Sequence, residues 1–98
     1  MRSVLIVAYD IADDKRRTKV HTKLKGFGEA LQYSLFRCML TPVQRLHMRS
    51  ALWEILNHAE DRVLLIDLGP DDGRGRTALE SWGLPLEDPA PTGGPLII

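Results

Sequence analysis

Residues 3–20 have the sequence SVLIVAYDIADDKRRTKV, in which an apolar run leads into an acidic turn and then a cationic stretch. The first part, Ser3 to Ala8, is almost wholly apolar, which is typical of a central strand buried on both faces. Asp13 or Asp14 can accept hydrogen bonds from the free amides of a first helical turn, so a helix is predicted over Lys15 to Phe27. The chain therefore opens with a buried strand followed at once by a helix.

The rest of the chain adds further strands and one more helix. Leu31 to Leu40 has the aromatic and apolar density of a strand, with a bend or bulge at Tyr33-Ser34. Thr41 to Gln44 combines a capping box with proline at the first helical position, which predicts a second helix. Val63 to Leu68 is expected to be a strand that is apolar on nearly both faces, and Thr77 to Trp82 a short edge strand. This order predicts an α+β fold, a ferredoxin-like βαββαβ sandwich with an additional C-terminal strand.

The 98 residues leave room for a single domain, and their 44% hydrophobic and 27% charged content is that of a soluble globular protein. We assign residues 1–83 to the ferredoxin-like domain. Residues 84–98 form a Pro/Gly-rich tail that ends in the apolar Leu96-Ile97-Ile98, and they belong to the same domain or to a dimer interface. Because a core of this size is thin, burial against a second subunit would stabilise the fold.

Composition excludes several classes of protein. A single cysteine, Cys38, cannot form an internal disulfide, and zinc modules need more Cys or His ligands than the chain offers. The longest apolar run, Val4 to Ala8, is too short for a bilayer span or a signal peptide, so we expect a cytoplasmic protein without membrane contact. The net charge is zero, although residues 10–28 are basic and residues 60–98 acidic. From charge alone, two solvated surfaces are the simpler interpretation.

Asp10 is the main candidate for chemistry. It stands at the carboxyl end of the first strand, where sheets commonly place catalytic and metal-binding groups. Mg²⁺ favours one or two carboxylates together with water and phosphate oxygens. Arg17, three residues before the apolar Val20, is expected to direct its guanidinium towards the end of that strand, where it could bind a phosphate. The alternative is that Asp10 merely ends the strand, and these residues alone leave both interpretations open.

The aromatic residues allow two interpretations as well. Phe36 lies near Tyr33 and beside Arg37, and aromatic residues interleaved with arginine can stack on bases. A core position for Phe36 fits the same pattern, and the pattern alone favours it. The histidines and Cys38 lack the spacing of a metal site or a nucleophile.

Three blocks of sequence stand in a distinctive order: YDI at residues 9–11, DDKRRTKV at 13–20 and QYSLF at 32–36. A fourth, EDRVLLIDL, occupies Glu60 to Leu68. Together these blocks resemble the CRISPR-associated endoribonuclease family, the smaller of the two core proteins of CRISPR adaptation. The resemblance implies a ferredoxin-like homodimer with metal-dependent nuclease activity, using Mg²⁺ or Mn²⁺, that takes part in spacer acquisition in antiviral defence. It also implies RNA or DNA as ligand and the larger CRISPR integrase subunit as partner.

Carried over by position, the resemblance implies that Asp10 is the metal-binding acid. The catalytic residues would be Asp10, Tyr9, Arg17 and Phe36. The nucleic-acid contacts would come from Arg16, Arg17, Lys19 and Ser34.

Two functions follow from these residues. The leading one is a metal-dependent phosphodiesterase in which Arg17 and Lys19 offset charge developing on the phosphate. Because one chain offers a single candidate metal-binding carboxylate, two Asp10 side chains across a dimer axis would make one site. The alternative is a non-catalytic, DNA-binding dimeric scaffold of the integration complex, in which Asp10 is vestigial. Both need the same basic surface, and the residues do not discriminate single-stranded RNA from duplex DNA.

Overall fold

The computed structural model describes residues 1–84 as one antiparallel sheet and three helices. The strand order is β2-β3-β1-β4, and every neighbouring pair is antiparallel. This is the predicted ferredoxin-like βαββαβ arrangement, followed by one short helix. In chain order the elements are β1 (Ser3–Asp10), α1 (Asp14–Leu24), β2 (Gly28–Gln32), β3 (Leu35–Leu40), α2 (Pro42–Ile55), β4 (Arg62–Pro70) and α3 (Arg74–Thr77).

The hydrophobic core lies between the sheet and the helices α1 and α2. Alternate residues of β1, namely Leu5, Val7 and Tyr9, belong to it, while Val4 and Ile6 are buried outside this cluster. The prediction that β1 is buried on both faces is therefore confirmed. Each such side chain contributes about 1.5–3 kcal/mol by leaving water. The remaining fully or nearly buried members of the cluster are Ile11, Val20, Leu24, Phe36, Cys38, Leu40, Met48 and Leu52.

Both main helices begin as their sequences predict. The Asp13 carboxylate accepts a hydrogen bond from the Arg16 amide at 2.9 Å, and α1 starts directly after Asp13, at Asp14. Thr41 and Gln44 form the expected capping box, with reciprocal bonds of 3.2 and 2.9 Å. Helix α1 is shorter than predicted, because Gly26 and Phe27 bond to carbonyls three residues back and turn the chain into β2.

Two predicted strands differ in the structure. The single bent strand over residues 31–40 is a hairpin, since β2 already begins at Gly28 and Tyr33-Ser34 form the turn to β3. The prediction of an edge strand at Thr77 to Trp82 is wrong. Thr77 ends α3, and no strand follows among the residues up to 84. After β4 the chain turns, with the Gly73 amide donating to the Pro70 carbonyl at 3.2 Å, and it returns so closely that a Cβ at Gly75 would lie 2.7 Å from the Pro70 carbonyl oxygen.

Strand β4 is less buried than its apolar sequence suggests. It forms one edge of the sheet, and the outward-facing Leu64 and Ile66 are about half exposed. Only Val63 and Leu65 pack against the core. The predicted C-terminal strand at residues 96–98 lies outside the described residues. Within residues 1–84 no helix has the length and apolarity needed to cross a membrane.

Candidate functional site at the carboxyl end of β1

Asp10 occupies the last position of β1 and is exposed. Its register partner on β4 is Arg62, the first residue of that strand. On the other side of β1, the Tyr9 amide donates to the Ser34 carbonyl at 3.1 Å. The end of β1 therefore lies between the β2–β3 turn and the start of β4, with the first turn of α1 close by.

Tyr9 is buried and holds the β2–β3 turn in place. Its hydroxyl oxygen lies 3.1 Å from the Tyr33 carbonyl and 2.9 Å from Nδ1 of His21. Because a carbonyl only accepts, the hydroxyl donates to Tyr33, and His21 donates its Nδ1 proton to the hydroxyl oxygen. Burial raises the pKa of Tyr9, while the nearby Arg17 charge acts in the opposite sense. Tyr9 is therefore a neutral hydrogen-bonding group that fixes the β2–β3 turn against α1.

Arg17 lies where its spacing predicts. One guanidinium nitrogen, Nη2, donates to the Ile11 carbonyl at 3.2 Å, and Nη1 contacts the Asp14 carboxylate at 2.6 Å. Ile11 directly follows Asp10, so the guanidinium is fixed beside the end of β1. Its side chain is 48% exposed. The exposed part leaves N–H groups free to approach an anion.

Arg16 has a different environment from the one the resemblance implied. Its guanidinium forms a two-bond pair with Asp61, with Nε to Oδ2 at 2.8 Å and Nη2 to Oδ1 at 3.2 Å, and it also contacts Glu60 at 3.1 Å. The Asp61 side chain is fully buried. Its bond to Arg16 holds the pKa of Asp61 far below the usual range for a carboxyl, and the same bond raises the pKa of Arg16. The Arg16 guanidinium is thus bonded to two carboxylates of the same chain.

Phe36, Lys19 and Ser34 occupy three different environments. Phe36 is fully buried, and its ring meets the His21 ring edge-on at 5.1 Å between centroids, so it cannot stack on a base from this position. Lys19 is exposed on α1, and Ser34 is exposed in the β2–β3 turn. Tyr33, next to Ser34, is 96% exposed. At this end of the sheet Tyr33, rather than Phe36, presents an aromatic ring to solvent.

The carboxylates of one chain do not make a complete metal site. Among residues 1–84 there is no group of three or more His, Cys, Asp or Glu side chains placed to hold an ion. Asp10 offers a single hard oxygen ligand of the type that Mg²⁺ prefers. A second copy of the chain would add its own Asp10, and one or two carboxylates with water and phosphate oxygens are a ligand set that fits a divalent cation such as Mg²⁺.

A sequence model described as "CRISPR associated protein Cas2" matches residues 2–74, most of the described fold. The chain belongs to this family. Its similarity to curated Cas2 proteins is substantial. The chain is 44% identical to a CRISPR-associated endoribonuclease Cas2 of Geobacter sulfurreducens over 70 residues, covering 71% of this chain and 74% of that one. It is also 44% identical to one of Thermus thermophilus over 87 residues, covering 87% and 92%.

Solved structures agree with the fold. A hypothetical protein from Thermus thermophilus superposes with a TM-score of 0.75 at 28% identity, covering 87% of this chain and 95% of that one. Streptococcus pyogenes Cas2, solved at pH 6.5, gives a TM-score of 0.70 at 24% identity, covering 82% and 99%. Both likenesses extend over nearly the whole of the other protein, so these two solved structures share the fold described here.

Proposed function

We propose that this protein is a CRISPR-associated, metal-dependent nuclease that hydrolyses phosphodiester bonds during spacer acquisition. The observation that carries the proposal is the exposed Asp10 at the end of the central strand, together with the half-exposed guanidinium of Arg17, which bonds the carbonyl of the next residue, Ile11. The curated relatives at 44% identity are named endoribonucleases, which supports the same chemistry.

The proposed site is shared by two chains of a homodimer. Two Asp10 carboxylates that face each other across the dimer axis would together hold Mg²⁺ or Mn²⁺. When bound, the ion supplies Lewis-acid stabilisation of charge on the phosphoryl group. Without it, the two carboxylates would repel each other.

The other residues bind and orient the nucleic acid. Arg17 donates N–H groups to a phosphate, and the exposed Lys19, two residues further along α1, adds a second positive charge near this end of the helix. Tyr9 keeps the β2–β3 turn in position, so that Ser34 and Tyr33 lie at the same end of the sheet as Asp10. Hydrolysis then consists of attack by water on phosphorus and departure of the sugar oxygen, with Arg17 offsetting the charge that develops. RNA and DNA both offer the phosphates that these groups recognise, and the larger CRISPR integrase subunit is the proposed protein partner.

A cleavage assay tests this function directly. Wild-type protein and Asp10→Asn are incubated with single-stranded RNA and with duplex DNA, in Mg²⁺, in Mn²⁺ and in EDTA. We expect cleavage by the wild type that EDTA abolishes and that Asp10→Asn lacks. Cleavage retained by Asp10→Asn would reject the assignment. Binding of duplex DNA without any cleavage would instead identify a non-catalytic scaffold.

A further inference from the structure

Asp61 is the best-connected carboxylate among the described residues, and the proposed reaction does not use it. Its two oxygens accept four hydrogen bonds in a fully buried position. Oδ1 accepts from the Ala12 amide at 3.0 Å and from Arg16 Nη2 at 3.2 Å. Oδ2 accepts from Arg16 Nε at 2.8 Å and from the Asn57 amide at 2.9 Å. One side chain thus joins the segment after β1, the first turns of α1 and the loop before β4.

These bonds lie on both sides of Asp10. Ala12 follows Asp10 by two residues, so its amide fixes the direction in which the chain leaves β1. Asp61 directly precedes Arg62, which is the register partner of Asp10 on β4. The backbone segments that flank Asp10, along the chain and across the sheet, are therefore anchored to the same carboxylate.

We propose that Asp61, held by Arg16, is a positioning residue that fixes the backbone around Asp10 for metal binding and phosphodiester cleavage. The proposal rests on the function proposed above. It assigns Arg16 a role inside the protein, in place of contact with the nucleic-acid backbone. Because a carboxylate is an acceptor at both oxygens, it satisfies all four donors at once. An asparagine would present an NH₂ group to two of those N–H donors, one from Arg16 and one backbone amide, so that either the Ala12 segment or the Asn57 segment would lose its anchor.

The chain offers a matched control beside this residue. Glu60 contacts the same guanidinium at 3.1 Å, but its side chain is 57% exposed and it bonds neither backbone segment. Glu60→Gln therefore removes a neighbouring charge from Arg16 without touching the anchor. Arg16→Lys keeps the positive charge but loses the two-bond geometry, so it is expected to fall between Asp61→Asn and the wild type.

The experiment measures kcat and KM for oligonucleotide cleavage, together with hydrogen exchange of the amides of residues 10–13 in metal-free protein. All variants are assayed well below their melting temperatures. For Asp61→Asn we expect kcat to fall about 10- to 100-fold, because small displacements of a reacting group have effects of this size, with KM within about two-fold of wild type. The Ala12 amide should lose protection in Asp61→Ala, which removes both oxygens, and keep it in Glu60→Gln.

Three results would overturn the proposal: a wild-type kcat in Asp61→Asn, unchanged exchange at residues 10–13 in Asp61→Ala, or equal losses in Glu60→Gln. Absence of cleavage by the wild type would contradict the proposed function instead. In that case the exchange of the Ala12 amide still decides whether Asp61 anchors the segment around Asp10.

Discussion

Replacing Tyr9 by phenylalanine separates an ordering role of this residue from a catalytic one. The change deletes one hydroxyl and leaves the ring, which lies 6.3 Å from the Phe36 ring between centroids. Two hydrogen bonds are lost, one to the Tyr33 carbonyl and one from His21. A net contribution of about 0.5–1.5 kcal/mol per hydrogen bond to the free energy of unfolding gives a maximum loss of about 1–3 kcal/mol. Since Tyr33 is exposed and water can replace the bond to its carbonyl, we expect about 1–2 kcal/mol of destabilisation.

The assay is chemical denaturation of both proteins at pH 7, followed by the same measurement between pH 9 and pH 12. The pKa of Tyr9 is raised above its usual 10.0 in the folded protein, so the unfolded chain loses this proton first as the pH rises. The stability linked to Tyr9 is therefore complete below pH 10 and declines above it. Tyr9→Phe lacks this decline, so the stability difference between the two proteins should shrink as the pH rises above 10.

Cleavage by the folded Tyr9→Phe protein is expected to stay within about three-fold of wild type, because the hydroxyl faces the turn and His21. A loss of about a hundred-fold in kcat with unchanged stability would refute the ordering role, because it would place the hydroxyl in the reaction itself.

Three further predictions concern single side chains. Arg17→Ala should weaken oligonucleotide binding by about ten-fold or more, measured by fluorescence anisotropy, because a charge-assisted contact is lost; the fully solvated Lys25→Ala is the control, and equal losses would contradict the geometry. Burial raises the pKa of the Cys38 thiol to about 11. The native thiol should therefore not react with a disulfide reagent at pH 8, whereas the thiol of the denatured chain should. Rapid reaction of the native protein would show that the core around Cys38 opens. Gly28→Ala should destabilise by about 1–3 kcal/mol in urea, because its Cβ would lie 2.6 Å from the Cys38 sulfur. Gly26→Ala, whose Cβ meets nothing nearer than 3.3 Å, should cost less, and equal effects would refute the packing argument.

The features that the sequence predicted correctly are those that depend on neighbouring residues. The burial of β1, the Asp13 cap and the Thr41–Gln44 capping box each follow from side chains within a few positions of one another. The position of Arg17 beside the end of β1 follows from helical spacing in the same way. Local patterns were sufficient for these elements because the tertiary structure agrees with them.

The features that were missed depend on distant partners. Gly28 to Ala30 has little intrinsic strand preference, and β2 forms there because β3 pairs with it. The apolar sequence of β4 predicts burial on nearly both faces, but the strand is half exposed. Its burial depends on what covers the outer face of the sheet, and the pattern of the strand itself does not specify that. Arg16 and Asp61 are 45 residues apart, and no short motif links them. The sequence therefore shows Asp61 only as one acid of the acidic residues 60–98, and the resemblance implies a nucleic-acid contact for Arg16.

The thermal response to metal tests the central claim most directly, because it isolates the shared Asp10 site from the choice of nucleic acid. An ion that binds only the assembled site stabilises it by about 2.7 kcal/mol at a hundred-fold excess over Kd. We predict that Mg²⁺ or Mn²⁺ raises the melting temperature of the wild-type protein and leaves that of Asp10→Asn unchanged, while the metal-free variant is at least as stable as wild type. Equal stabilisation of both proteins by metal would show that the ion binds elsewhere and would contradict the shared-site account.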